Sequence, residues 1–534
     1  MVVLVDQGPA PAWQKQLVEE VGRSADVEVR PEPQALEARR RPLGERLWHL
    51  FLALDRRWHP ATPDAFARAA PWRPSVFDDR PSCPPVVVPD VPSQVGAATR
   101  LDARQGAWSP DVVLDLRRVP GAITRLGPRH GAWSLSVREG PLSGSPLITT
   151  ALYIAKGSGR PQVHVEWSSA VDVGSAYRTL NRSAWNGYQL VLRQLRLVGA
   201  GTQEGPVVSA PRLPETATAP RMIEVIRFVA RSLALRARRR ARRDRDRADW
   251  YIAIRTKRWR TLAERDDRGF RPLSVTQGHF HADPFLLAHD GRTYLFFEDY
   301  SLRERRGVIG CREVSPEGTA GPPEVVLERP YHLSYPFVFR LNGAMYLIPE
   351  TTGNRDLELY RAYDFPRDWR LELVLMRDIH AADATLFQHE GTLWLFANVA
   401  EPGTSDWDAL HVFFADSLRS EWRPHPLNPV VRDVRRARPA GRLFWDAGRL
   451  IRPAQDCSLR YGRAITLNRV DVLTKTDYAE VPVGRITADW AAGNVAAHGL
   501  DCTDAIEVID GRRPVTRADA RMRARRGPDS CSTA

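Results

Sequence analysis

The chain has 534 residues, 43% of them hydrophobic and 26% charged, with 16 Trp, 17 Phe and 13 Tyr. At about 100–200 residues per domain, this length predicts three domains or two large ones, and the composition excludes a mainly disordered or collagen-like chain. The net charge of +13 concentrates between Arg221 and Arg260 and in the tail from Gly511 to Ala534, and only four of the 77 basic residues are Lys. A basic strip and a basic tail are not a nucleic-acid-binding fold, so no specific nucleic-acid partner is expected.

The opening MVVLVD has no basic region before its apolar residues and breaks at Asp6. It reads as a buried first strand and not as a signal peptide. No run reaches 18 consecutive apolar residues, so no transmembrane helix is expected, and a cytoplasmic location follows from both readings. Trp13–Gly22 is compatible with a helix, and Val27–Arg30 with a second strand. Pro110–Leu116 is a continuous apolar run of the kind that parallel sheets bury on both faces. Residues 1–205 are therefore expected to form an α/β domain. The loop after Asp6 has a single Gly and no GxGxxG, so a dinucleotide fingerprint is absent. The five cysteines (Cys83, Cys311, Cys457, Cys502, Cys531) are scattered without CxxC or zinc spacing. They read as reduced thiols, and neither a metal nor a cofactor is expected.

Residues 206–248 read as a linker with a basic helix. Pro211–Pro220 is rich in Pro and Thr; Met222, Ile223, Ile226, Val229 and Leu233 then recur at helical spacing before an Arg-rich run. The favoured reading is a connecting helix whose apolar stripe packs on a domain. The alternative is a helix in weak contact with a membrane surface.

From residue 249 to 511 the sequence repeats. DPFLLAHDGRTYLFFE (283–298), YPFVFRLNGAMYLIPE (335–350), DATLFQHEGTLWLFAN (383–398) and, more weakly, AGRLFWDAGRLIRPAQ (440–455) each read as strand, Gly turn and strand. Gly accepts the positive φ that a tight hairpin needs. The successive offsets of 52, 48 and 57 residues are blade lengths for a β-propeller. Five blades fill the region. The fifth is expected to combine Ile465–Val481 with Asn494–Gly511, closed by the early strand Trp250–Arg255. Residues 512–534 are expected to be a disordered basic tail.

In a propeller blade the first strand is innermost and the second returns beside it. The start of one and the end of the other then meet at one rim. That places Asp283, Asp383, Glu298, Glu350, Asn398, Gln455 and Asp456 together, joined by His281, His332, His380 and Arg438 just before the inner strands. Clustered carboxylates perturb one another and suit acid–base chemistry. The bland alternative is structural: an acid at a strand end can simply accept a hydrogen bond from the next blade.

The runs at 278–300, 331–351 and 382–399 resemble the five-bladed propeller of glycoside hydrolase family 43. With DVRRARPAGRLF (433–444) and RPAQDCSLRYG (452–462), they look more closely like the N-terminal propeller domain of the glucosamine inositolphosphorylceramide transferase family. The family 43 resemblance implies an inverting glycosidase with an Asp base, a Glu acid and a supporting Asp. Asp283 matches the base. Asp383 resembles the supporting Asp, but in the third blade instead of the second, where Tyr335 stands. Glu350 or Glu298 offers the acid. The transferase resemblance does not carry transferase activity with it: glycosyl transfer there belongs to another domain, and the DxD-like string here, Asp244-Arg-Asp246, lies in the basic linker.

PDVVLDL (110–116), HGAWSLSVREG (130–140) and RSAWNGY (182–188) resemble a formyltransferase domain. The Asn and His that the family uses are replaced by Ser134 and Ser136, whose hydroxyls cannot do the work of an imidazole. The resemblance implies a formyltransferase-like α/β domain that has lost that chemistry, with His164 and Asp172 outside the family's pattern. The whole is then an α/β formyltransferase-like domain followed by an all-β five-bladed propeller. Two functions stay open: a carbohydrate-active, glycosidase-like propeller that catalytically uses Asp283, Glu350 and Asp383 on a glycan or glycoconjugate, or a non-catalytic glycan- or nucleotide-sugar-binding protein.

Overall fold

The computed structural model describes residues 1–6, 9–23, 27–32, 43–71, 112–116, 128–138, 140–155, 162–202, 221–241, 248–315 and 317–514. The linker Pro211–Pro220, the Asp244–Asp246 string and residues 515–534 lie outside these. The chain divides into two compact units. The first comprises Met1–Trp167, Ser175–Arg231 and Pro402–Thr404; the second comprises Ser168–Gly174, Ser232–Glu401 and Ser405–Ala534.

The first unit contains a six-stranded mixed sheet in the order Glu28–Glu32, Val2–Asp6, Val113–Asp115, Ala132–Arg138, Leu147–Ala155 and Gln162–Ala170. The first four strands run parallel, and Leu147–Ala155 is antiparallel to its neighbour. Val2, Val3, Leu4 and Val5 are all buried, which explains the unbroken apolar run. Among the described residues, four α-helices are α1 (Ala12–Gly22), α2 (Leu43–Trp58), α3 (Ala176–Gly199) and α4 (Met222–Ala241), the last continuing from the first unit into the second at Ser232. Ser175 caps α3 by accepting a hydrogen bond from Arg178 N at 3.1 Å, and Asp55 of α2 accepts from Ser175 Oγ and Tyr177 N. The mixed sheet establishes an α/β unit and goes no further toward the formyltransferase resemblance. On α4 the expected stripe does not pack inward throughout. Met222, Ile223, Ile226 and Leu233 are about half exposed and Val229 is partly buried, while Val225, outside that stripe, is buried.

The second unit is a five-bladed β-propeller, five sheets of four strands each. Blade one runs from His279 to Leu327, blade two from Ser334 to Met376, blade three from Ala381 to Pro424 and blade four from Phe444 to Thr487. Blade five is assembled from both ends of the region: Leu500–Cys502 and Ile506–Pro514 pair with Ala248–Thr256, which pairs with Arg271–Pro272. The early strand closes the ring as expected. The segment Ile465–Val481 does not join it; it supplies Ala464–Leu473 and part of Tyr478–Thr487 in blade four, because the weak fourth repeat leaves that blade two strands short. Arg512–Pro514, expected in the tail, complete a strand of blade five.

The inner hairpins turn through two successive residues at positive φ, as in Asn342 (49°) and Gly343 (80°), the geometry of a type I′ turn. Between blades the core is aromatic. Phe285 meets Tyr335 and Phe337 edge-to-face at 4.8 and 5.5 Å, and Phe365 sits between Tyr294, Phe296 and Trp369.

Candidate functional site

The inner strands of blades one to three share one irregularity. Ala282 pairs with Glu298 and Phe285 with Phe296, so two residues of the inner strand oppose one of its partner. The same bulge recurs between Ser334 and Phe337 and between Ala382 and Thr385. The first residue of each bulge is Asp283, Tyr335 and Asp383, at φ 53°, 44° and 56°. A positive φ at a residue with a Cβ is costly unless its surroundings hold it there, and a bulge re-aims its side chain. Blade five repeats the register: Ala496 pairs with Arg512 and Leu500 with Ile509, again one residue longer on the inner side. His498 thereby occupies the place of Asp283, Tyr335 and Asp383.

Carboxylates hold these bulges across blades. Asp510 Oδ2 accepts from Asp283 N at 3.2 Å, Asp283 Oδ2 from Tyr335 N at 3.2 Å, and Glu350 Oε2 from Asp383 N at 3.3 Å. Gly441 N of the segment leading into blade four donates to the Tyr335 hydroxyl at 2.9 Å. The structural role weighed above is therefore present for Asp283 and Glu350.

The same side chains form one buried ionisable set. Arg438 Nε donates to Asp383 Oδ2 at 2.6 Å, and its Nη2 reaches Asp383 Oδ1 and Glu350 Oε2, each at 3.3 Å. Its guanidinium lies over the Tyr461 ring at 5.2 Å. Gln455 Nε2 donates to Asp383 Oδ2 at 2.7 Å. His498 Nδ1 lies 2.5 Å from Asp510 Oδ2 and 3.7 Å from Asp283 Oδ1, with its ring stacked on Trp250 at 3.8 Å. Glu298 Oε1 is 3.5 Å from His332 Nε2. Because His332 Nδ1 accepts from Gly307 N at 2.9 Å, the neutral ring carries its proton on Nε2, facing Glu298.

Burial dominates the titration of this set. It raises Asp283 to about 6, with Asp383 and Asp510 adding to it and His498 opposing. It raises Asp383 to about 7 against the pull of Arg438. Glu298 goes well above the usual carboxylate range through burial and the neighbouring charges of Asp283, Glu350, Asp510 and Asp383. Burial pulls His498 down, but Asp510 and Asp283 outweigh it and the imidazole ends up raised. Burial alone lowers His332.

The remaining expected residues sit elsewhere. His281 lies 3.6 Å from Asp299 Oδ1, which His279 Nδ1 approaches at 2.6 Å; it belongs to that cluster because its side chain leaves the strand on the face opposite to Ala282's. Asp456 is turned away for the same reason. Gln455 points at Asp383, while the next residue accepts from Arg485 Nη2 at 2.6 Å and Ser458 N at 2.9 Å. His380 precedes the third inner strand and accepts from Ala400 N through its carbonyl. His498 and Asp510 were not singled out by sequence. The signal was the short run Ala-His-Gly-Leu at 497–500 in place of Ala-Asp-Pro-Phe at 282–285. Asp283, His498 and Asp510 each bring a donor atom, all within 4.8 Å of one another. This trio, of which only Asp283 stands among the residues singled out from the sequence, has the donor atoms to hold a cation.

Fold and site together define the class: a five-bladed propeller with a buried carboxylate–histidine–arginine set at the bulges of its inner strands. Within it, residues 271–507 match the family model described as glucosamine inositolphosphorylceramide transferase 1, N-terminal. Glucosamine inositolphosphorylceramide transferase 1 of Oryza sativa subsp. japonica is 38% identical over 226 residues, 42% of this chain and 30% of the relative. The Arabidopsis thaliana protein of that name is 37% identical over 209 residues, 38% of this chain and 27% of the relative. The chain thus spans less than a third of the curated relatives it matches. Among solved structures, the family 117 glycoside hydrolase Zg3597 of Zobellia galactanivorans is similar over 49% of this chain and 90% of its own, at 13% identity and a TM-score of 0.33. The GH62 α-L-arabinofuranosidase catalytic domain of Coprinopsis cinerea covers 49% and 97%, with the same identity and score. These superpositions are loose, and the five-bladed architecture rests on the strand pairing given above.

Proposed function

We propose that the propeller acts on a glycan or glycoconjugate at the bulges of its inner strands, as a glycosidase-like enzyme. One observation carries the reading: Asp283, first residue of the bulge, directly follows Ala282, the register partner of Glu298, and the environments of the two carboxyls favour different protonation states near neutral pH. Asp283 sits at about 6, whereas Glu298 is held well above the ordinary range. Two carboxyls pushed apart in this way are suited to be base and acid. Asp283, poised near neutrality, takes the proton from a water that attacks the anomeric carbon. Glu298 gives its proton to the departing glycosidic oxygen, oriented by the Nε2–H of His332. Asp383, fixed by Arg438 and Gln455, is a preorganised acceptor for sugar hydroxyls. Glu350 is a weaker candidate for the acid, since its oxygens already accept from Thr352, Asp383 N and Arg438.

A second reading, sugar binding without turnover, draws on the hydrogen bonds by which Asp283 and Glu350 brace the neighbouring blades. Turnover separates the two. On a panel of glycoconjugates that includes glycosyl inositol phosphates, Asp283→Asn and Glu298→Gln should each lower kcat by about 10²–10⁴-fold, with sugar affinity nearly unchanged. Binding of a panel member by a wild-type chain that releases no sugar would favour the second reading.

A further inference from the structure

We propose that α2 and the first half of α4 form a docking face for an anionic lipid surface. Along α2, Leu43, Leu50, Leu54 and Trp58 follow one another at spacings of seven, four and four residues, which keeps them on one face of a helix. They are 57%, 59%, 39% and 57% exposed. Along α4, Met222 and Ile226 stand one turn apart with Ile223 beside them, all about half exposed. The two helices touch where Phe228 meets Trp48 and Phe51 edge-to-face at 5.7 and 5.8 Å, along the border of the α2 stripe, since Phe51 stands seven residues before Trp58. The outward stripes therefore lie on a single packed pair.

Charge selects the occupant. Arg46, Arg57, Arg221, Arg227 and Arg231 are exposed on or beside these helices, and the sequence continues through Arg236 and Arg238–Arg240. The acids of the two helices are Glu45 and Glu224, both half-buried, and Asp55, which is buried on Ser175 and Tyr177. An apolar stripe with a terminal Trp, bordered by arginines with few acids, has the composition of a helix lying in a bilayer's headgroup plane. The long arginine side chains reach lipid phosphates while the leucines and isoleucines enter the acyl boundary. No helix among the described residues is long and apolar enough to cross a membrane, so contact would be peripheral. The proposal is independent of the propeller's chemistry.

Flotation of the full chain with vesicles tests it. Phosphatidylcholine vesicles containing about 30% phosphatidylglycerol should carry at least about tenfold more protein than pure phosphatidylcholine. The triple variant Leu50→Ser, Leu54→Ser, Ile226→Ser should lose at least about tenfold of that binding, and Arg46→Gln, Arg57→Gln, Arg227→Gln, Arg231→Gln should abolish its salt sensitivity. All changed positions are exposed or half exposed, and circular dichroism melts should match wild type. Equal flotation on both vesicle types, none on either, or unchanged flotation of the triple variant would overturn the proposal. So would a concentration-dependent dimer that the triple variant dissociates, which would assign the face to a second copy.

Discussion

Replacing Arg438 by Met tests whether the buried set is held together as described. The guanidinium donates to both oxygens of Asp383 and to Glu350, and the residue is only 7% exposed. Methionine fills much of the same volume but leaves Asp383 with Gln455 as its remaining side-chain donor of those found here. Removing one partner of a buried ion pair costs about 3–5 kcal/mol, because the other charge stays buried without compensation. Urea unfolding followed by tryptophan fluorescence reads the loss, and the sign of its pH dependence is diagnostic. Asp383 is raised to about 7 even with the guanidinium beside it, and without it would rise further. In the variant it would be protonated below that value, so the penalty should be largest near pH 8 and shrink toward pH 5. Adding Asp383→Asn should recover part of the loss, as a double-mutant cycle between contacting groups requires. A cost below about 1 kcal/mol, or one equal at pH 5 and pH 8, would refute the reasoning.

The wild-type propeller should lose stability as pH rises from 4 to 7, because Asp283, Asp383 and Glu298 hold protons in the folded state that they release when unfolded. For Asp283, held at about 6 against an ordinary 3.8, the linkage is about 3 kcal/mol, and Asp283→Asn should flatten the profile by about that much in chemical denaturation across pH; an unchanged slope would contradict it. Gly441→Ala should cost at least about 3 kcal/mol in the urea midpoint, since φ is 136° and a Cβ would lie 1.8 Å from the Leu500 carbonyl oxygen. The first unit should show no formyl transfer from a folate donor to amino sugars, since hydroxyls stand at Ser134 and Ser136; turnover abolished by Ser136→Ala would overturn that expectation.

The propeller was legible because each inner hairpin writes itself locally: two apolar runs around a Gly that must take positive φ. The convergence of Asp283, Glu298, Glu350, Asp383, Gln455 and Arg438 followed from repeat position alone. What escaped depended on pairing between distant segments. His498 and Asp510 sit in a blade built from strands some 250 residues apart in sequence, without the glycine-turned hairpin that marks the others. The bulge that aims Asp283, Tyr335 and Asp383 is a difference in register between two strands, and one strand's sequence does not contain it. His281 and Asp456 leave the carboxylates because strand alternation turns the neighbours of an inward residue outward. In α2 the apolar period is plain, but whether a stripe faces a core or water is settled only by what packs on the other side.

A crystal of the full chain soaked with mono- and disaccharides, amino sugars included, tests the central claim most directly. The account predicts a sugar ring at the inner-strand bulges, with hydroxyls within hydrogen-bond reach of Arg438 or Asp383 and the anomeric centre between Asp283 and Glu298. Sugar bound solely elsewhere, for instance in the cavity of about 720 Å³ lined by Arg255, Trp259, Asp266 and Arg271, with the carboxylate set still closed on itself, would contradict it.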